Sequence, residues 1–268
     1  EGGIWMNTQR PEWNDANNAL VGAGLSMVTL AQLRRALAWL GPLCAGGEFE
    51  VSAPVRDWFD AVGAQLHDRS VLERAGDAPL SPSERRELLD SLGESASTFR
   101  ATVYAGGSAE RRSLSGDAVQ ALCDAALPWL DHSLRTNRRR DGLLHSYNLL
   151  RLEDGEAHVG HLYEMLEGQV NLLGAGVLSP GEAVDLLDAM FASRLYRADQ
   201  RSFMLYPFRD RPAFLDRNAV PADRIEGTPL LRSLAAAGHR KIVAPDAGGT
   251  WRFSADFSNA DDLDAALD

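Results

Sequence analysis

The strongest constraint on this chain is the spacing of its apolar residues, which recur at intervals of three and four almost from end to end, with few alternating runs. A first helix is expected over about residues 17–40. There Leu25, Val28, Leu30, Leu33, Leu37 and Leu40 share a face and Gly41-Pro42 ends it. Gly22, Gly24 and Ser26 near its start weaken helix propensity, so small residues there imply close packing or a backbone approached by a ligand. Further helices are expected over about residues 51–66, 117–134 and 159–173, the last ending at Gly174 and Gly176. "SPSE" and "SPGE", at Ser81–Glu84 and Ser179–Glu182, each place a capping serine, a proline at the first helical position and a returning glutamate. After Ser179 the spacing of Val184, Leu187, Met190 and Phe191 continues as a helix. Helices joined by capped turns without intervening strands predict an all-α class of stacked antiparallel helix pairs. Near the C-terminus "KIVAP" and "WRFSADF" flank a turn signal at Asp246–Gly249 and predict a short hairpin. Residues 1–240 therefore read as a helical domain and 241–268 as a hairpin and tail.

Charge and cysteine content exclude several functions. The formal charge of -11 and a sequence pI near 5.0 give little attraction for a phosphate backbone, so no nucleic-acid partner is expected. The one basic run, Arg138-Arg139-Arg140, is followed at once by Asp141. Cys44 and Cys123 have no CxxC spacing and sit in apolar surroundings, which favours buried thiols in a reducing, cytoplasmic setting over a disulfide. No run reaches the roughly 18 apolar residues of a membrane span, and no signal peptide pattern opens the chain. The chain starts at Glu1 without an initiator methionine, so a piece of a longer protein, with other domains or a companion fragment, is expected.

The densest polar motif is "RPEWNDANNAL", residues 10–20. Asp15 or Asn17 suits a helix N-cap, a role both residue types favour. Capping uses one side chain, however, and Glu12, Asn14, Asp15, Asn17 and Asn18 together supply donors and acceptors at the density sugar hydroxyls require. Trp5 and Trp13 could stack on the apolar face of a pyranose.

The segment "PEWNDANNAL" resembles the "DWND" segment of the inverting disaccharide phosphorylases, the cellobiose and chitobiose phosphorylase group. The wider run from Gly3 to Arg35, with "HLYEMLEGQV" and "SRLYRADQRSFMLYPFRD", resembles an uncharacterised group of large bacterial phosphorylase-like proteins. The resemblance implies all or part of an (α/α)6 toroid and cleavage of an oligosaccharide or glucan with inversion, by phosphorolysis or hydrolysis. Trp13, Asn14 and Asp15 match the segment, while Glu12 stands where the family has its first aspartate. The resemblance thus implies Asp15 as general acid, with Glu12 second. Such a toroid needs twelve helices and about seven are legible, so the missing hairpins are expected to precede Glu1. No cofactor is implied beyond inorganic phosphate as a co-substrate.

Other candidates come from the residues themselves. Glu164 and Glu167 lie three apart among apolar neighbours, and Glu167 could serve as the base of a hydrolase, or both could simply support the fold. His145, Tyr147 and Asn148 in "HSYN" could bond sugar hydroxyls. Arg209 and Arg211 in "YPFRDRP" could clamp a phosphate, or tie long loops to the body. His158 and His161 have no third ligand at metal spacing, so no metal is expected. Ser26 lacks a nucleophile-elbow pattern. A non-catalytic carbohydrate-binding or interaction domain on the same helices is the alternative function.

Overall fold

A computed structural model of the protein describes residues 1–6, 20, 22–209 and 213–267. It overturns the all-α toroid. The molecule is 53% helical with 17% strand, and the strands form four antiparallel sheets, a mixed α/β class. Two compact units divide the chain, Glu1–Phe208 and Arg209–Asp268.

In the first unit the expected helix start is strand instead. β1 (Ile4–Trp5) pairs antiparallel with β2 (Gly24–Ser26), Ile4 opposite Ser26. A side chain at Gly24 would strike Leu20 Cβ at 2.4 Å, so the close packing expected of these small residues is real, though it belongs to a strand. Helix α1 (Met27–Cys44) begins only after Ser26, whose Oγ accepts from Thr29 N at 3.0 Å. It runs through Gly41-Pro42, where Gly41 lets α5 approach: a Cβ there would lie 3.3 Å from Cys123 Cβ. α5 (Gly116–Thr136) is capped by Ser115, and Arg34 of α1 joins Asp131 of α5 at 2.9 Å.

Beside this pair β3 (Glu48–Ser52) and β4 (Arg111–Ser115) form a two-stranded sheet. They bracket α2 (Ala53–His67), the short α3 (Ser70–Ala75) and α4 (Pro82–Tyr104). Both expected capping boxes are present, at Ser81/Glu84 for α4 and at Ser179/Glu182 for α7 (Pro180–Ala192).

The helix expected over residues 159–173 is half strand. β5 (Tyr147–Glu153) and β6 (Glu156–His161) form a hairpin, extending the first sheet to the order β1-β2-β5-β6, and only then does α6 (Leu166–Gly174) begin. Asp154 (φ 51) and Gly155 (φ 78) sit at the tip, and positive φ at both central residues suits a two-residue hairpin turn. Glu164 precedes α6 in the connecting segment, so Glu164 and Glu167 do not share a helix face. A small pair, β7 (Tyr196–Arg197) with β8 (Ser202–Phe203), closes the unit. Its main core joins α1, α5, α6 and α7 through Met27, Ala31, Leu134, Leu172, Leu186 and Met190.

The second unit contains α8 (Phe214–Arg217), β9 (Ala219–Val220), α9 (Ala222–Gly227) and α10 (Pro229–Ala236). β10 (Val243–Pro245), β11 (Trp251–Phe253) and α11 (Ala260–Leu267) follow. The expected hairpin is β10–β11, extended by β9 on the far edge. Val220, Ile225, Ile242 and Val243 form the unit's own core.

Candidate functional site

The polar residues of the first unit converge where the chain enters β5. Leu143 and Leu144 are fully buried and anchor the segment "LLHSYN" against the core, so the polar side chains that follow are drawn inside with it. Gln169 of α6 holds this stretch like an added strand: its Oε1 accepts from Leu144 N at 2.7 Å and its Nε2 donates to Leu144 O at 2.8 Å. Ser146 Oγ donates to Met165 O and accepts from Gly168 N, both at 3.0 Å. Every one of these buried groups finds a partner, as burial of polar atoms demands.

Asn148 is the centre of the arrangement. Its Nδ2 donates to Gly2 O at 2.7 Å and to Asn137 Oδ1 at 2.8 Å, and its Oδ1 lies 2.8 Å from His161 Nδ1. With both amide hydrogens committed, Oδ1 must be the acceptor, and His161 carries its proton on Nδ1. His145 Nδ1 donates in the same way to Leu162 O at 3.2 Å. The two imidazoles stack with centroids 4.0 Å apart and planes 9° from parallel. Burial, and then the neighbouring His161, push the His145 pKa down to about 4. Burial, and then the Arg85 and Arg139 guanidinium groups, lower His161 as well. The stack is therefore a neutral pair at pH 7, each ring presenting Nε2 as its acceptor.

Tyr147 and Glu167 are brought together, the phenol donating to Glu167 Oε2 at 2.6 Å from the neighbouring strand. Glu167 lies in the first turn of α6, where a carboxylate is favoured by the helix dipole. Of the sequence-derived candidates, His145, Tyr147, Asn148 and Glu167 thus form one constellation. Asn137, Ser146 and Gln169, which hold it, were not singled out. The sequence signal for Gln169 is an amide set among apolar residues in the run "LEGQVNLL".

Glu12, Trp13, Asn14, Asp15, Asn17 and Arg211 lie outside the described residues. The ends of the described chain around the first motif are joined: Gly22 N donates to Met6 O at 2.7 Å and Met6 N to Gly24 O at 2.8 Å. Trp5 Nε1 donates to Gly22 O at 3.0 Å. Because Ser26 caps α1, neither Asp15 nor Asn17 is needed as the cap of that helix. Arg209 begins the second unit and has interactions of its own. Among the described residues no group of three or more His, Cys, Asp and Glu is arranged to hold a metal ion, and no helix is long and apolar enough to cross a membrane. Cys44 and Cys123 are free thiols, and burial, then Asp124, raises the Cys123 pKa.

A second feature of the first unit is a cavity of about 630 Å3 bounded by α1, α2, α4, α5 and the inner face of the β1-β2-β5-β6 sheet. Its walls are leucine-rich, with Trp5, Trp58, Phe59 and Trp129 among them, and Arg85 and Glu1 as its charged members. The space is half open to the surface, with Leu33 and Trp58 of its lining 38% and 37% exposed, so solvent reaches it.

Comparison with known proteins adds one relationship. A family model described as GH149 phosphorylase insertion domain 2 matches residues 211–268, nearly the whole second unit. This supports a relationship to glycoside phosphorylases through that part of the chain. A search of curated proteins finds no match.

Proposed function

We propose that the protein serves the phosphorolysis of an oligosaccharide or glucan, with Asp15 as general acid. The similarity of residues 211–268 to a glycoside phosphorylase insertion domain carries this reading, and the Trp13-Asn14-Asp15 match to the acid-bearing segment of disaccharide phosphorylases agrees with it. In the reaction a phosphate oxygen attacks the anomeric carbon from the face opposite the leaving group. The glycosidic C–O bond breaks, and the Asp15 carboxyl gives its proton to the departing oxygen. The products are an inverted sugar 1-phosphate and the shortened saccharide. Phosphate replaces the activated water of an inverting hydrolase, so no second carboxylate is required. Glu167, bonded to Tyr147, then serves to position the β5 entry and not as a base.

The test is release of sugar 1-phosphate from oligosaccharides with and without inorganic phosphate. Turnover should require phosphate, and Asp15→Asn should lower it by about 10²–10⁴-fold while Glu12→Gln retains most of it. Full activity in Asp15→Asn would refute the assignment. The similarity to an insertion domain also favours a second reading, in which the chain handles glycan without carrying out chemistry. Saturable glycan binding with no turnover under any phosphate concentration would select that alternative.

A further inference from the structure

We infer that Trp5 and Gly22 are positioning residues for the proposed phosphorolysis, fixing the root of the segment that carries Asp15 relative to Tyr147 and Asn148. The inference rests on the reading of Asp15 as the acid. Residues 7–19 lie outside the described residues, but Met6 and Gly22, from which the motif springs, are within them.

The root is a β-bulge. Met6 O accepts from Gly22 N at 2.7 Å and Met6 N donates to Gly24 O at 2.8 Å, so one residue after β1 faces three on the returning chain. Ala23, the residue pushed out, accepts through its carbonyl from Leu150 N of β5 at 2.6 Å. Gly22 takes this path at φ 84, a region that favours glycine, and a Cβ there would meet nothing within 4 Å. Its glycine therefore serves direction and not space. Trp5 Nε1 donates to Gly22 O at 3.0 Å, so Gly22 is held on both its N–H and its carbonyl. This indole bond is exposed, where a hydrogen bond adds little to stability. Its consequence is the aim of the chain. β2 then runs Gly24 opposite Leu149, Leu25 opposite Asn148 and Ser26 opposite Tyr147, so the root of the acid segment lies one strand from the polar constellation. Bulges recur beside active sites because they re-aim a side chain, and proton transfer to a leaving oxygen tolerates little misplacement.

Trp5→Phe removes the donor and keeps the ring. On the saccharide, kcat should fall about 10–10²-fold, with KM for phosphate and for saccharide within about twofold. A 2,4-dinitrophenyl glycoside of the sugar released as its 1-phosphate carries a leaving group that departs without a proton. On it the loss should be under about threefold, as for Asp15→Asn. Gly22→Ala, which keeps the donor and disfavours φ 84, should show the same split. Trp129→Phe removes a like bond, from Trp129 Nε1 to Leu66 O at 3.0 Å, and should leave kcat unchanged. Unchanged kcat in folded Trp5→Phe or Gly22→Ala, equal loss on the aryl glycoside, or a rise confined to saccharide KM, as direct stacking on sugar would give, overturns the positioning role. Full activity in Asp15→Asn, or no turnover by the parent chain, instead overturns the reading on which this one rests.

Discussion

The helix pair α1–α5 meets two different interiors. Toward α6 and α7, Met27, Ala31, Leu134, Leu172 and Leu186 are at most 2% exposed and pack without gaps. Toward α2 and α4, Leu33, Leu37, Val119 and Leu122 open onto a cavity of about 630 Å3. Both sides carry apolar residues three and four apart along α1, Met27, Leu30 and Ala31 on one and Leu30, Leu33, Leu37 and Leu40 on the other. Apolar periodicity therefore reports which face turns inward, and says nothing of what fills the space it faces. The packed side draws its stability from close contact, while the cavity side leaves that contact for something else to supply.

The difference is sharpest under truncation. Leu186→Ala in the packed core should cost about 2–5 kcal/mol in urea unfolding, whereas Leu89→Ala on the cavity wall should cost under about 1.5 kcal/mol, because few atoms lose a neighbour there. Equal losses would erase the distinction. At least as large is the effect of Asn148→Leu, which deprives Gly2 O, Asn137 Oδ1 and His161 Nδ1 of their partners. At about 1–3 kcal/mol per orphaned group it should destabilise the polar junction beside the packed core more than any cavity-wall change. A neutral result would mean that water replaces the amide.

The histidine stack adds a pH dependence to that same side. Unfolded, His145 takes up its proton near pH 6.5; folded, it resists until about 4. The unfolded chain thus binds more protons between these values, so the contribution is complete above pH 6.5 and is lost as the pH falls toward 4. With the ring half-buried, the loss is discounted to about 1–2 kcal/mol. Urea midpoints measured across that window should show it, and His145→Phe, which keeps a ring against His161, should flatten the slope. The smallest effect is local. Ser81→Ala at the cavity-side helix and Ser179→Ala at the packed-side helix should each cost about 1 kcal/mol, whatever lies beneath. A clear inequality in thermal midpoints would show that capping and interior filling are coupled.

Much of the helical framework was legible in the sequence. Both serine–proline–glutamate boxes start helices at the expected residues, and the Asp246–Gly249 turn carries the expected hairpin. These signals are local, satisfied within a few residues, and survive any tertiary context. The strands were lost for the opposite reason. "LSM" at the start of α1 and "VGHLYEML" before α6 keep a helix-like apolar spacing, but their backbone bonds go to partners distant in the chain, such as Tyr147 for Ser26 and Asn148 for His161. One overlooked local signal was the Asp154-Gly155 pair, which points to a hairpin without knowledge of the partner strand. Within the candidate site, "HSYN" was legible as a polar cluster, but its assembly with Glu167, Gln169 and Asn137 was not.

By itself the amino-acid sequence determined where the two serine-capped helices begin, which residues seek the interior, and that the chain carries an asparagine-rich polar motif resembling one of the phosphorylases. Those properties depend on neighbours within a turn or two. Only the tertiary structure decided that β1, β2, β5 and β6 share a sheet, that two histidines stack in neutral form, and that one side of α1–α5 is filled while the other is hollow. Each of these depends on pairings that reach beyond a helical turn, up to more than a hundred positions along the chain as between β2 and β5, or on a balance of volumes.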